Sequence, residues 1–168
     1  MSYIDWKMLA IRVRSLHENG ESGGDSYARR AIVEILGQEE ISRLVDHYVN
    51  FNPGAELVRS ILWLLQPREA MERCYAIYSE DPNVERRRCA IELLRNIADK
   101  QALKWIEEFL KDTDEDIQNW AIGIIDQLLV REVISFDEAT PFLVLGEAQM
   151  NAYVRDKILF IRESHSQK

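Results

Sequence analysis

The feature that most constrains the fold is an internal repeat with a period near thirty residues. A small residue followed four positions later by a large apolar one recurs at offsets of 29, 30 and 31 residues, as Ala31/Ile35, Ser60/Leu64, Ala90/Leu94 and Ala121/Ile125. A degenerate fifth copy follows 37 residues later, with Ile158 in the small position. Because one unit of this length cannot bury its own apolar face, successive copies are expected to stack around a shared core.

Apolar residues recur at helical spacing along nearly the whole chain, and strand patterns are almost absent. Short breaks rich in Gly, Pro, Asn and Asp divide the chain into about ten predicted helices. The first of these is expected to run from Ser2 to Asn19 and to end at Asn19-Gly20. The intervening helices repeat as well, through Ile41/Leu44/Val45, Ala70/Met71/Cys74, Ala102/Leu103/Ile106 and Ala139/Phe142/Leu143. The sequence therefore predicts an all-α fold of helix pairs.

The clearest copies lie between Asp81 and Leu129, where a helix and a short acidic turn precede a pattern of Val, Arg, Ala and Leu. This segment resembles HEAT repeats, and weaker copies extend the resemblance from Asp25 to Arg162. The resemblance implies a right-handed α-solenoid of about five antiparallel helix pairs. It also implies one domain over residues 1–168, with a capping helix and loop at 1–22, core repeats at 25–131 and a degenerate repeat at 136–163. HEAT repeats share architecture rather than chemistry, so the resemblance names no activity.

The charge of the chain excludes some partners. Its 168 residues carry a formal charge of −8, which argues against binding nucleic acid, because phosphate neutralisation needs a basic surface. Two cysteines, Cys74 and Cys89, are too few for a disulfide scaffold and are expected to be small buried side chains. Neither a signal peptide nor an apolar run long enough for a membrane span is apparent, so the expected location is the cytoplasm.

The stretch "KDTDED", from Lys111 to Asp116, has the alternating aspartates with which a calcium-binding EF-hand loop begins. That loop requires Gly at its sixth position and Glu at its twelfth, where this chain has Ile117 and Gly123. The apolar pattern that starts at Ile117 instead predicts a helix. We therefore interpret Asp114 or Asp116 as a group at the N-terminus of that helix.

Two further motifs point towards enzymes. The segment "GESGG", residues 20–24, fits the G-x-S-x-G nucleophile pattern around Ser22, but that motif needs a preceding strand, and a helix is predicted there. Deoxyhypusine hydroxylases are HEAT-repeat enzymes that resemble this architecture and hold two irons with several His-Glu pairs. This chain has one such pair, His17-Glu18. The sequence thus predicts neither a catalytic constellation nor a metal or cofactor.

Two clusters of charge are candidate partner-binding surfaces. Six acids and one base, Lys111, give the segment 107–116 a local charge of −5. This segment is either a solvated face with a helix cap or a docking patch for a basic protein, formed by Glu107, Glu108, Asp112, Asp114, Glu115 and Asp116. The basic residues near the starts of the second helices predict either a ladder, in which Arg87 or Arg88 pairs with Asp81 and Asp112, or a partner-binding groove. The candidates for the groove are Arg30, Arg59, Arg87 and Arg155.

The functional hypothesis is a protein-binding module without catalytic activity. Its most concrete form is an immunity-type inhibitor that holds a basic toxin or nuclease. Two alternatives are a structural adaptor and a cofactor-handling protein similar to the phycobilin lyases, which are also built from HEAT-like repeats. The lyase alternative would use Trp63, Trp105 and Trp120, although their positions in apolar stripes favour core packing. The sequence leaves the oligomeric state open.

Overall fold

A computed structural model describes residues 3–165, so the predicted helix start at Ser2 lies outside the described residues. These residues form nine α-helices, one short 3-10 helix and one two-stranded hairpin. The α-helices are α1 Trp6–Arg12, α2 Asp25–Val49, α3 Ala55–Leu65, α4 Arg68–Glu80, α5 Val84–Ile97, α6 Leu103–Leu110, α7 Glu115–Val130, α8 Phe136–Glu147 and α9 Ala152–His165. The 3-10 helix is Lys100–Ala102, and the strands are β1 Leu16–His17 and β2 Gly20–Glu21. The predicted all-α class is confirmed apart from the hairpin.

The chain groups into two compact units, of which the first ends at Ala70. In this unit the predicted N-terminal helix to Asn19 is wrong, because α1 ends at Arg12 and the antiparallel hairpin follows it. A seven-residue helix gains little from propensity, and α1 buries only Leu9. The backbone turns at Arg14, whose φ is 58°, and a two-residue turn then joins His17 to Gly20, whose φ is 130°.

Two predicted helices form a single helical segment in α2. The interruption between them is at Gly37, where φ is 76° and ψ is 163°, a conformation that glycine adopts without a Cβ penalty. The part of α2 that follows packs against α3. Its buried side chains are Ile41, Val45, Tyr48 and Val49, and those of α3 are Val58, Leu62 and Leu65.

The first two small/large pairs do not lie in the core, contrary to the expectation. Ile35 and Leu64 are each 48% exposed, and Ser60 is exposed, with its hydroxyl donating to the carbonyl of Glu56. The buried stripe of α3 lies on a different face, so the small/large spacing here predicted a helix but not the side of it that packs.

The second unit, which begins at Met71, has the packing that the repeat predicts. Its helices α5 and α9 both pack against α7, and α8 packs against α6, α7 and α9. Ala90, Leu94, Ala121 and Ile125 are all fully buried. A small residue at each seam lets two helix backbones approach closely while the large residue fills the layer between copies.

Ile158 is also fully buried, although it is large and stands in the small position of the fifth copy. The compensating residue is Gly146 on α8. A Cβ at Gly146 would lie 2.8 Å from Cδ1 of Ile158 and 3.0 Å from Cδ1 of Ile122. The volume added on α9 is therefore matched by volume removed on α8.

The helices α5, α7 and α9 begin at equivalent caps. The side-chain oxygen of Asn83 accepts from the amides of Glu85 and Arg86, and Asp114 accepts in the same way from Asp116 and Ile117. Asn151 accepts from the two corresponding amides at the start of α9. Because these amides have no partner within their own helix, each cap satisfies donors that would otherwise be left unpaired.

Cys74 and Cys89 are free and buried, as the sequence predicts. Burial raises the pKa of the Cys89 thiol to about 12, so it stays protonated near neutral pH. Within residues 3–165, no helix has both the length and the apolarity required to cross a bilayer.

Candidate functional site: an acidic surface on the second unit

The six acidic candidates lie at the end of α6 and the beginning of α7, and two of them serve the fold. Asp114 is the N-cap of α7, and its side chain is only 8% exposed. The guanidinium of Arg88 on α5 forms an ion pair with the same carboxylate. Its Nε lies 2.9 Å from Oδ2, and one of its terminal nitrogens lies 2.8 Å from the same oxygen. The sequence interpretation of Asp114 as a group at a helix N-terminus is confirmed.

The pKa of Asp114 reflects this double role. Burial alone would raise the pKa, but hydrogen bonds from Arg88 and from the amides of Ile117 and Asp116 outweigh burial and hold it below its ordinary value. The carboxylate is therefore ionised near neutral pH and committed to contacts within the chain. It is not available to bind a partner directly.

Asp112 is also committed to internal contacts. One of its oxygens accepts from the amide of Asp114 at 2.8 Å, and the other accepts from the Tyr78 hydroxyl at 2.9 Å. Burial and this hydrogen bond raise the pKa of Tyr78, which keeps its hydroxyl a donor. The EF-hand alternative is wrong, because the carboxylate oxygens of Asp112 and Asp114 accept hydrogen bonds from backbone amides and side chains. In addition, Ile117 is a fully buried helix residue.

The remaining acids point outward. Glu107 and Asp116 are 64% and 60% exposed, and Glu108 and Glu115 are exposed as well. Lys111 pairs with Glu107 one turn earlier and lowers its pKa. We define the acidic edge as Glu108, Glu115 and Asp116, the three exposed acids of this segment that lack a lysine partner among the described residues.

Aromatic side chains hold one end of the acidic edge in place. The Tyr75 hydroxyl on α4 donates to Glu108 at 2.9 Å. The Tyr75 ring stacks on Trp105, with ring centroids 4.8 Å apart and an interplanar angle of 9°. Lys104 lies over the Trp105 ring at 4.4 Å from its centroid. Because this stack is well packed, Glu108 is presented by a rigid support rather than by a free side chain.

The other end of the acidic edge surrounds one guanidinium. Arg88 contacts Glu85 at 2.9 Å, Asp114 at 2.8 Å and Asp116 at 3.3 Å. One positive charge thus meets three negative charges, and the cluster keeps an excess of two. Glu115 lies between Asp114 and Asp116 in the chain, but its side chain makes no hydrogen bond or ion pair with any residue in the range 3–165. Its backbone carbonyl accepts from Asn151.

Among the described residues, neither pair of the predicted ladder forms. Arg86, rather than Arg87 or Arg88, pairs with Asp81, at 2.7 Å. Arg88 pairs with Asp114 rather than with Asp112. The sequence predicted the type of contact but not the partners, because neighbouring arginines on a helix point in directions that differ by about 100°.

The four arginines of the second candidate surface are divided between the two units, two in each. Arg30 lies over the Tyr27 ring, and Arg59 pairs with Glu56 in the preceding turn of α3. In the second unit, Arg155 donates to the carbonyl of Met150, and the Nε of Arg87 is buried without a hydrogen-bond partner. Three of the four arginines are thus engaged by groups close to them in the chain.

Of the three tryptophans considered for a ligand groove, Trp105 is 7% exposed and Trp120 is half-buried beneath Arg95. Core packing is therefore confirmed for Trp105 but wrong for Trp63, which is 57% exposed. Sequence reasoning missed Tyr75 and Tyr78. Their signal was an offset of 33 or 34 residues from Glu108 and Asp112, which is close to one repeat.

Comparisons of this chain with protein-family models, with curated proteins and with solved structures found no match.

Proposed function

We propose that this chain is a protein-binding module without catalytic activity, built as a HEAT-like solenoid, whose acidic edge docks a basic partner. In its most concrete form it is an immunity-type inhibitor that covers the active site of a basic toxin or nuclease. The observation that carries the proposal is the set of three exposed carboxylates, of which Glu108 accepts from the Tyr75 hydroxyl and Asp116 contacts Arg88.

The charge balance supports this proposal. Lys111 pairs with one acid, Glu107. The single guanidinium of Arg88 contacts the three carboxylates named above. Glu108 receives only a neutral hydroxyl, and Glu115 has no cationic partner in the described part of the chain. An excess of fixed negative charge attracts a basic surface over several ångströms and raises association rates at low salt by about ten- to a thousandfold.

The chemistry of nucleases explains why such a partner would fit. A protein that binds phosphates must present Lys and Arg, because neutralising the backbone supplies much of its affinity. An inhibitor that presents carboxylates can occupy the same basic groups. Because Glu108 and Asp116 already have side-chain contacts within the chain, they lose less side-chain entropy on binding than free side chains would, so more of the interaction energy appears as affinity.

The test uses immobilised chain and a lysate of the producing organism, with proteins eluted by increasing salt. The patch variant carries Glu108→Lys, Glu115→Lys and Asp116→Lys. A matched control carries the same charge change at exposed glutamates outside the edge, as Glu39→Lys, Glu56→Lys and Glu132→Lys. Circular dichroism melts confirm that both variants remain folded.

We expect the wild type and the control to retain a basic protein that elutes with salt, and the patch variant to lose it. For the inhibitor form, the wild type also blocks the captured protein's nuclease or toxin activity. Equal retention by the patch variant would show that the acidic edge is not the docking surface. A neutral or acidic protein that resists salt would likewise overturn the electrostatic mechanism.

A further inference from the structure

The hairpin of the first unit brings together two side chains that the sequence separates by five positions. The Nε2 of His17 lies 3.0 Å from the Oγ of Ser22, a hydrogen-bonding distance. The hairpin register places His17 opposite Gly20, and the amide of Ser22 donates to the carbonyl of Ser15 at 2.7 Å. Both partners are thus held by backbone pairing in a segment where the sequence predicted a helix and, for that reason, no nucleophile at Ser22.

Ser22 also lines a cavity of about 300 Å³. Its other walls are largely apolar and come from α1, the hairpin and the start of α2, including Trp6, Leu9, Val13, Tyr27 and Ala31. A cavity of this size accommodates a short acyl chain or a small aromatic ring next to Ser22. His17 does not line this cavity, so Ser22 stands between the two, with the imidazole at its hydroxyl and the cavity beside the residue. An activatable nucleophile and a place for the acyl group are the first two requirements of acyl transfer.

Donors for a developing negative charge begin two residues later. Gly24 is the N-cap of α2 with φ of 117°, and it caps without a side-chain hydrogen bond. The amides of Tyr27 and Ala28 donate to the Gly24 carbonyl, so those of Asp25 and Ser26 are the donors left at the positive end of the helix dipole. Amides of this kind stabilise the oxyanion of a tetrahedral intermediate.

We propose that Ser22 and His17 form a nucleophile–base dyad that accepts acyl groups from small activated esters. His17 Nε2 takes the proton from Ser22 Oγ as the oxygen attacks the ester carbonyl, giving a tetrahedral oxyanion. The carbonyl re-forms, the ester C–O bond breaks, and the alcohol leaves with the proton from His17. Water then hydrolyses the seryl ester by the same steps and releases the acid.

The expected signature is acylation rather than rapid turnover. The second nitrogen of His17 has no acceptor among the described residues, so the imidazole lacks the orienting group of a full triad. A fluorophosphonate probe is therefore the appropriate reagent. It forms a stable phosphoryl–serine bond with loss of fluoride, and the modified serine is identified by peptide mass spectrometry.

The experiment compares labelling rates in the full-length chain. We expect Ser22 to label faster than Ser60, an exposed serine whose hydroxyl bonds only to a helix carbonyl. His17→Gln should lower the Ser22 rate by about a hundredfold, whereas His47→Gln should leave it unchanged, since His47 contacts the Pro53 carbonyl instead.

Hydrolysis of p-nitrophenyl butyrate provides the second measurement. Ser22→Ala should lose hydrolysis above the buffer rate, and combining it with His17→Gln should cause no further loss, because the two groups act as a unit. Hydrolysis that survives Ser22→Ala but not His17→Gln would make histidine the nucleophile and overturn the dyad. Equal labelling of Ser22 and Ser60, or an unchanged rate in His17→Gln, would overturn it as well.

Discussion

Asn83 and Asp114 occupy the same place in successive repeats, 31 positions apart, and both cap a helix. Of the two, only Asp114 also forms an ion pair, with Arg88 on α5. We expect Asn83→Ala to lower the free energy of unfolding by about 1 kcal/mol, the usual value of an N-cap, and Asp114→Ala to lower it by about 1–2 kcal/mol. Denaturant unfolding followed by tryptophan fluorescence measures both.

Asp114→Asn separates the two roles of this residue, because the amide oxygen still accepts from the helix amides while the charge that meets Arg88 is removed. We expect Asp114→Asn to retain more than half of the stability lost in Asp114→Ala. If the two variants were equally destabilised, the ion pair with Arg88 and not the cap would be the main contribution of Asp114. The sequence predicted the cap from "DTDED", but it could not predict that Arg88 would be the partner.

At the scale of helices, substitutions at Ala90 and Ser60 test what decides whether a helix position tolerates a charged side chain. The alternatives are the burial of the position and its place in the repeat. The two residues are equivalent in the repeat, yet Ala90 is fully buried and Ser60 is exposed. Ala90→Glu places a carboxyl group on the buried face of α5, where an unpaired charge costs several kcal/mol or is avoided by a raised pKa. We expect this substitution to unfold the second unit or to lower its melting temperature by more than about 10 °C.

Ser60→Glu is the matched control, and we expect its melting temperature to stay within about 2 °C of the wild type, as for most exposed substitutions. Circular dichroism melts of both variants provide the comparison. If Ala90→Glu melted with the wild type, the packing of α5 on α7 described here would be incorrect. If Ser60→Glu lowered the melting temperature as much as Ala90→Glu, Ser60 would be buried, as its position in the repeat predicts, and not exposed.

The elements themselves were predictable to different degrees for physical reasons. Long helices can be predicted from the periodicity of their apolar residues. In the helices after Met71, the small and large residues of the repeat are also buried. The segment from Val13 to Glu21 has no such strong period, and the pairing of two strands two residues long is decided by tertiary contacts and by a turn at Gly20. Local pattern therefore predicted a helix where the chain forms a hairpin, and the contact between His17 and Ser22 was hidden with it.

At the scale of the whole molecule, the excess of acid was visible in the sequence, but its division between fold and surface was not. Counting charges gave −5 for residues 107–116 without distinguishing Asp112 and Asp114, which are held by internal contacts, from Glu115, which is exposed. That division depends on side chains one repeat away, such as Tyr78 and Arg88. A repeat period gives the separation of these partners along the chain, but only the packed structure gives their contacts.

Carboxylates that accept hydrogen bonds within the chain, among them Asp114 with its lowered pKa, set how the stability of the chain depends on pH. Hydrogen bonds from Lys100 and Ser135 lower the pKa of Glu138 to about 2, and the pKa of Asp81 is lowered chiefly by the Asn83 amide. Each group has a lower pKa in the folded than in the unfolded state, so the unfolded chain binds more protons in acid. The stabilisation is complete above the unfolded pKa of about 4 to 4.5 and is lost as the pH falls through the folded pKa.

We therefore expect the free energy of unfolding to fall steeply between about pH 4.5 and pH 2, as measured by urea titration with tryptophan fluorescence. The variant Asp114→Asn/Glu138→Gln removes two of these carboxylates. It should be less stable than the wild type at pH 7, yet it should take up fewer protons on unfolding in acid, by about one for each carboxylate replaced. The matched control, Glu39→Gln/Glu132→Gln, changes two exposed acids and should keep the wild-type slope. An equal slope in all three proteins would mean that other groups govern acid unfolding, and that the lowered pKa values of Asp114 and Glu138 have no part in it.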